Sequence, residues 1–272
     1  MTVQVEGREP VRVARPRSLL GGVLCLVERN AMVHRRMWLV IVSGLGEPVF
    51  YLLAMSVGVG RLIDTVPGPD GRPVSYTSFV GPGILAAAAM LGSLSESTFR
   101  LYRKIIDGHT YQAILATPVT VREVALGEVL WATGRGAIYV VGLSTMLGVA
   151  GVVEPVRLLP AALAALLVCV AFAAAGSAAT SFMRAWQDHD LVGPVMMTMF
   201  LCSTTFFPLD AYPGAVRPLV QATPLYHGVS LVRGLAMGPV GPALLGYAAY
   251  LVVVAAIGAR VAVRQLERRL AP

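Results

Sequence analysis

Apolar residues run along this chain in long blocks, not in the narrow stripe of a soluble surface helix. A helix needs roughly 20 mostly apolar residues to cross a bilayer. Six stretches meet that length: about 37–59, 79–98, 124–150, 158–182, 192–209 and 241–262. The fifth is the shortest and ends at Phe206-Phe207-Pro208. After it, 212–240 is moderately apolar but interrupted by Pro213, Pro218, Pro224 and Gly228. Irregular backbone at membrane depth is tolerated where protein or a cavity shields it, so this segment is expected to form a re-entrant or interfacial hairpin on the outer side. Residues 18–36 are too short and polar to span. Leu19, Leu20, Val23, Leu26 and Val27 recur there at helical spacing, and the stretch closes with His34-Arg35-Arg36. That pattern predicts an amphipathic helix lying in the interface, or a plain lead-in to the first span. The expected fold is therefore an all-α polytopic membrane protein. It has a polar tail over 1–17, an interfacial helix over 18–36, a six-span domain over 37–262 with its hairpin before the last span, and a tail over 263–272.

Composition agrees with the blocks. The 272 residues are 56% hydrophobic and 14% charged, against about 25% charged in an average soluble domain. Soluble, disordered and disulfide-scaffold classes fall away together. Net charge is +7, and of 22 basic residues only Lys104 is a lysine. In a soluble chain such an excess would suggest nucleic acid; here the arginines sit between apolar blocks, which is how membrane orientation is encoded. With the N-terminus inside, the inner side holds Arg8, Arg12, Arg15, Arg17, Arg29, Arg35, Arg36, Arg100, Arg103, Lys104, Arg122, Arg184, Arg260, Arg264, Arg268 and Arg269. Only Arg61, Arg72, Arg157, Arg217 and Arg233 fall outside. Both termini are expected in the cytoplasm. Residues 1–18 are polar and arginine-rich, unlike a secretory leader.

Catalytic chemistry finds little support. His34, His109, His189 and His227 all fall in loops or interfaces, so no span supplies a base to a nucleophile at depth. The three cysteines, Cys25, Cys169 and Cys202, are scattered, and no disulfide or metal spacing can be built from them. No catalytic or metal residue is expected. A phosphate-binding loop needs Gly-Lys followed by Ser or Thr, yet Lys104 lies between Arg103 and Ile105. Any ATP used by this protein would be hydrolysed on another chain.

Charges inside the blocks carry more information, because each costs on the order of 3 kcal/mol at the bilayer centre. Glu47 and Arg135 lie near mid-depth of the first and third spans, and an ion pair between them is expected. Glu96 and Glu128 lie toward the inner ends of the second and third spans. Glu128, Trp131 and Arg135 share one helix face at i, i+3 and i+7. These charges either fix helix packing or serve proton coupling or substrate contact. The inner loop 99–123 mixes basic residues with Tyr111, Ile114 and Leu115, followed by Thr117-Pro118. A proline there stops a short helix. Its apolar face suits the groove of a partner or the bilayer surface.

Four places resemble the permease subunits of type-2 ABC exporters, the family that includes lipo-oligosaccharide, drug and polysaccharide exporters. Glu47-Pro48-Val49-Phe50-Tyr51-Leu52-Leu53, then Gly58 and Gly60, is similar to the family's first span. Phe79-Val80-Gly81-Pro82-Gly83 is similar to the start of its second. Tyr111-Gln112-Ala113-Ile114-Leu115-Ala116-Thr117-Pro118, then Gly127-Glu128, resembles its cytoplasmic coupling segment. Phe206-Phe207-Pro208-Leu209 through Pro213, with Pro224-Leu225 and Arg233-Gly234, resembles its late signature. The resemblance spans about 20–262. It implies a separate ATP-binding subunit docked at Tyr111, Ile114, Leu115, Thr117 and Pro118, with ATP and Mg held by that partner. It also implies a second permease copy or paralogue, and a hairpin containing Phe206, Phe207, Pro208, Pro213, Pro224 and Arg233. The expected activity is ATP-driven export of an amphipathic drug-like or lipid-linked compound across a bacterial plasma membrane, with no nucleic-acid partner. Lipo-oligosaccharide or polysaccharide export is the variant within the family. Thr98-Phe99 is followed by Arg100, where many lipo-oligosaccharide relatives carry an acidic residue. A secondary transporter using Glu47, Glu96 and Arg135 as a proton relay, or a non-transporting scaffold, is the alternative from outside it.

Overall fold

A computed structural model describes residues 18–34, 38–63, 65–106 and 109–270. The expected tail over 1–17, the orientation arginines at 8, 12, 15, 17, 35 and 36, and the last two residues lie outside it. The described chain is almost entirely helical. Helix α1 (Leu19–His34) leads into α2 (Trp38–Ala54), which continues through a π turn over Met55–Val59. Strands β1 (Thr65–Pro67) and β2 (Pro73–Ser75) form a small antiparallel hairpin with Val66 opposite Val74. Then come α3 (Tyr76–Ser95), a π turn over Glu96–Arg100, α4 (Leu101–Ile106) and α5 (His109–Leu115). The long helices α6 (Val121–Val149) and α7 (Pro155–Phe182) follow, then the short α8 (Trp186–Asp190) and α9 (Val192–Leu201). The chain closes with α10 (Arg217–Ala222), α11 (Pro224–Met237) and α12 (Pro242–Leu270).

Local chemistry sets the helix starts. The Ser75 hydroxyl accepts from the Ser78 amide at 3.2 Å and caps α3. Thr120 and Glu123 form a reciprocal capping box at α6, with the Thr120 amide donating to Glu123 Oε2 at 2.7 Å. Pro155 and Pro224 stand in the first turns of α7 and α11, where a missing N–H removes no hydrogen bond. In the β-hairpin, Pro69-Asp70 make a tight turn closed by Gly71 N donating to the Gly68 carbonyl at 3.0 Å. Gly71 has φ 76°, the left-handed conformation that a following bulge residue needs.

Among the described residues, four helical stretches are long and apolar enough to cross a membrane: Tyr76–Ile105, Val121–Val149, Pro155–Phe182 and Pro242–Arg269. The first is central: 83% of its apolar window is buried in the protein, against 17% for Pro242–Arg269, which packs on α7 and leaves most of its surface outward. Small residues bring α3, α6 and α7 together. A side chain on Gly92 would meet Gly136 Cα at 3.0 Å, and one on Gly136 would meet Cys169 Sγ at 2.6 Å. Such close approach suits association without a hydrophobic drive between helices.

Several segments depart from the pattern expected of them. The fifth apolar block is helical only over Val192–Leu201, ten residues or about 15 Å of rise. From Cys202 the chain turns, with Thr204 at φ 61°, and the Thr204 and Thr205 carbonyls face the protein interior instead of a helix. Segment 212–240 forms the pair α10–α11, and α11 is wedged against α3, α7 and α12 with Leu225, Val229 and Val232 fully buried. Helix α1 does not turn its whole apolar stripe outward. Val23 and Leu26 pack on the start of α6, while Leu19 and Leu20 remain exposed.

Candidate functional site

A buried polar cluster lies where α1, the π turn after α3, α4 and α6 meet. Glu96, 5% exposed, is its centre. Its Oε1 accepts from Trp131 Nε1 at 2.7 Å, and its Oε2 lies 3.0 Å from Arg100 Nε and 3.5 Å from Arg135 Nε. The π turn aims these groups; such single turns carry one extra residue and gather at functional sites. Thr180 of α7 donates to the Ser97 carbonyl at 3.0 Å, tying the turn to the next helix. The expected Glu47–Arg135 pair is not formed. Glu47 on α2 is exposed, and the face of α6 that carries Glu128, Trp131 and Arg135 meets α3 and α4 instead.

His34 joins this cluster from α1. Its Nδ1 donates to the Asn30 carbonyl at 2.8 Å, and its Nε2 accepts from Arg100 Nη1. That pattern defines a neutral imidazole. Burial, opposed in part by Glu96, lowers the His34 pKa below its ordinary value. One turn away, Lys104 pairs with Glu128 at 2.7 Å and also reaches the Asn30 side-chain oxygen at 3.3 Å. Glu128 is matched by Lys104 and Glu96 by Arg100, which removes most of the penalty for holding those charges in apolar surroundings; Arg135 shares Glu96 with Arg100. The i, i+3, i+7 spacing on α6 was the visible signal for half of this cluster. Nothing in the sequence pointed to Asn30, His34 or Lys104 as its other half.

Helix α5 carries the segment read as the docking surface. Tyr111 and Ile114 are 1% and 8% exposed, packed with Leu26 of α1, Leu101 of α4 and Val124 of α6, with Leu115 half-buried beside them. The expectation that Tyr111 and Ile114 face a partner is therefore corrected: the apolar stripe of so short a helix is used to attach it to its own chain. The outward face is Ala113, Ala116, Thr117 and Pro118. Burial first, and the Glu128 carboxylate second, hold the Tyr111 phenol well above its ordinary pKa.

The hairpin residues gather at the other end of the bundle. Arg233 of α11, placed outside by the charge pattern, is buried. It donates from Nε to the Phe79 carbonyl at 3.1 Å and from Nη2 to the Thr204 and Thr205 carbonyls at 2.9 and 3.2 Å. Its guanidinium lies 3.8 Å from the centre of the Phe79 ring. A side chain on Gly83 would come within 2.9 Å of Arg233 Nη2, so the Phe79–Gly83 motif and Arg233 form one unit. Phe206 is buried against Phe200 and Tyr51, whereas Phe207 and Pro213 are exposed. Pro208 precedes a short turn over Leu209–Ala211, and Pro224 opens α11.

Three cavities adjoin these clusters. One of about 340 Å³ opens between α2, α3 and α6, lined by Gly44, Gly92, Glu96, Arg100, Arg135 and Tyr139 among others. A second, about 430 Å³, lies beside Arg233, Tyr226 and Tyr247. A third, about 740 Å³ and apolar, runs between α7, α11 and α12. Among the described residues, no nucleophile–base pair lines any of them. A helical membrane domain with a buried charge cluster beside a cavity, and a short helix clamped beneath it, has the architecture of a transport component.

Comparison with known proteins agrees. Residues 22–237 match the family described as ABC-2 type transporter, and the chain belongs to that family. It is similar to nodulation protein J of Rhizobium meliloti, 28% identical over 212 residues covering 77% of this chain and 79% of the relative. The nodulation protein J of Rhizobium leguminosarum bv. viciae is 26% identical over 217 residues, 79% of this chain and 82% of that one. For Azorhizobium caulinodans the figures are 28% over 253 residues, 88% and 95%. The chain is thus a membrane transport component of the ABC-2 type.

Proposed function

We propose that this chain is the membrane-spanning subunit of an ATP-driven exporter in a bacterial plasma membrane, with both termini in the cytoplasm. In this reading α2 with its π turn, 22 residues over Trp38–Val59, provides the first crossing, about 33 Å long. Helix α9, extended by the shielded backbone of Cys202–Pro208, provides the fifth, and α10–α11 form the re-entrant hairpin. A separate ATP-binding subunit, which holds ATP and Mg, docks on the exposed face of α5. A second permease copy or paralogue completes the pathway. The exported compound is amphipathic and lipid-linked. The nodulation protein J relatives favour a lipo-oligosaccharide over a drug within that class, while Arg100, held by Glu96 and His34, stands where many lipo-oligosaccharide relatives carry an acidic residue.

The observation that carries the reading is the unbroken contact from α5 to the cavity. Tyr111 and Ile114 bind α5 to α1 and α6, Asn30 and Lys104 link these to Glu128, and His34 leads to Glu96 and Arg135. A push on α5 moves the start of α6 and the cavity wall together. The proton-relay alternative is disfavoured because Glu96 is engaged by Trp131, Arg100 and Arg135.

The test is co-expression with an ABC-type ATP-binding subunit from the same organism, sought first among the genes beside this one. The two are expected to copurify, and the complex to hydrolyse ATP faster with exported compound present. Ala113→Asp, on the outward face, is expected to leave the permease folded but abolish that stimulation. Ile114→Asp places a carboxylate in a buried cluster and is expected to lower the yield of folded protein instead. Full stimulation in Ala113→Asp would remove α5 as the docking helix. Transport that survives ATP depletion but collapses with an uncoupler would overturn the exporter reading.

A further inference from the structure

The charges around the 340 Å³ cavity do not sum to zero. Two guanidiniums, Arg100 and Arg135, face the single carboxylate of Glu96. His34 is neutral by its hydrogen bonds, and Glu128 is taken by Lys104. Arg100 is satisfied, since it pairs with Glu96 and donates to His34. Arg135 is not. It is 7% exposed, and its Nε stands at ion-pair distance from Glu96 without a hydrogen bond. Neither Nε nor Nη1 has a hydrogen-bond partner among the described residues. Buried guanidinium N–H groups left unpaired are costly, and these border an opening wide enough for a small ligand group. Glu47, the other carboxylate near this face, is exposed and forms no ion pair with Arg135 among the described residues.

Tyr139 stands one turn along α6, with its ring beneath the Arg135 guanidinium at 5.9 Å. The ring fits because Gly44 and Gly92 lack side chains; a Cβ on Gly92 would lie 2.7 Å from Tyr139 Cδ2. The Tyr139 hydroxyl is turned toward Gly44 at the cavity wall and makes no hydrogen bond among the described residues. Two unused donors, one cationic and one neutral, thus border one cavity between α3 and α6, with α2 as its other wall.

We propose that this cavity binds the anionic headgroup of an amphipathic molecule, a phosphate, sulfate or carboxylate on a lipid-like body, with Arg135 as its charge partner and Tyr139 as a second donor. The proposal deepens the exporter reading and rests on it for the role of the cavity in transport. The headgroup belongs either to the exported compound or to a bilayer lipid; the chemistry is shared.

The experiment uses the full chain in phosphatidylcholine nanodiscs and a fluorescent dodecyl phosphate, with the matching dodecanol as neutral probe. Wild-type protein is expected to bind the phosphate, and Arg135→Gln to weaken binding about ten-fold or more, the scale of a lost charge-assisted hydrogen bond. Tyr139→Phe, which keeps the ring packing, is expected to weaken it about three-fold, as for one neutral hydrogen bond. Neither variant should alter binding of the alcohol. Displacement by phosphatidylglycerol added to the disc assigns the headgroup to a bilayer lipid, and displacement by inorganic phosphate shows that a free anion suffices; both support the anion site. If Arg135→Gln does not fold, Tyr139→Phe decides alone. Equal phosphate binding by wild type and the folded variants overturns the proposal. That result with ATP-subunit coupling intact would remove this site only, whereas lost copurification with phosphate binding intact would remove the exporter reading and leave the site.

Discussion

Replacing Arg233 by methionine isolates the contribution of one side chain to the hairpin end of the bundle. Methionine fills a similar volume and keeps contact with the Phe79 ring, but it leaves the Phe79, Thr204 and Thr205 carbonyls without their donor. Two magnitudes bracket the effect. Side-chain hydrogen bonds in membrane proteins average about 0.6 kcal/mol because the unfolded chain finds other partners, so three would give about 2 kcal/mol. Leaving a buried acceptor without its donor costs about 1–3 kcal/mol, so the Phe79 position and the Thr204-Thr205 turn together give about 2–5 kcal/mol. The second figure is favoured here, because Thr204, buried and at φ 61°, holds its carbonyl in a loop where Arg233 is its donor. Loss of 2–5 kcal/mol is therefore expected, roughly a thirty-fold or greater shift toward the unfolded state. Arg233→Lys should fall between, since one ammonium cannot serve Phe79 and the Thr204-Thr205 turn together. Unfolding in detergent, followed by circular dichroism, measures both variants. A stability for Arg233→Met within about 0.5 kcal/mol of wild type would show that these bonds carry no weight and that the hairpin is held by its apolar face alone.

Other outcomes follow from the same packing. Gly92→Val would place a branched side chain against Gly136 backbone at 3.0 Å, and a stability loss of about 1–3 kcal/mol is expected; Gly246→Ala, with nothing within 4 Å, is the neutral control, and equal stability of the two would refute the seam. For His34, the folded pKa lies below the unfolded value, so the unfolded chain takes up the proton first. Stability is thus complete above about pH 6.5 and declines as pH falls toward the folded pKa, because a protonated Nε2 can no longer accept from Arg100. Thermal midpoints from pH 7.5 to 5.5 should fall more steeply in wild type than in His34→Gln; parallel curves would exclude His34 as the group responsible.

Much of the bundle was legible from the apolar blocks, since α3, α6 and α7 fall within three residues of the runs that announced them; α12 starts with its run but continues eight residues past it to Leu270, through most of the expected tail. The block at 192–209 is helical only to Leu201; Cys202–Pro208 carries Ser203, Thr204, Thr205 and Pro208, and the Thr204 and Thr205 carbonyls accept from Arg233, a distant partner that no local pattern records. The β-hairpin was invisible because its strands are three residues long and each carries a proline. In the charge cluster, sequence spacing gave depth along each helix but not direction around it. Glu47 and Arg135 share a depth, yet Glu96 is the carboxylate turned toward Arg135. Tyr111 and Ile114 show the same limit: their spacing marks a stripe without saying whether it meets another protein or its own.

The π turn at Glu96–Arg100 also acts as a phase adjuster. One residue more than an α-helix needs advances everything downstream by about 100° of rotation. Arg100, Lys104 and Tyr102 owe their bearings to that offset, while the buried alanines upstream are untouched by it. Gain or loss of a single codon there would therefore re-aim the whole polar arm that follows α3 and leave the packing of the buried alanines as it was.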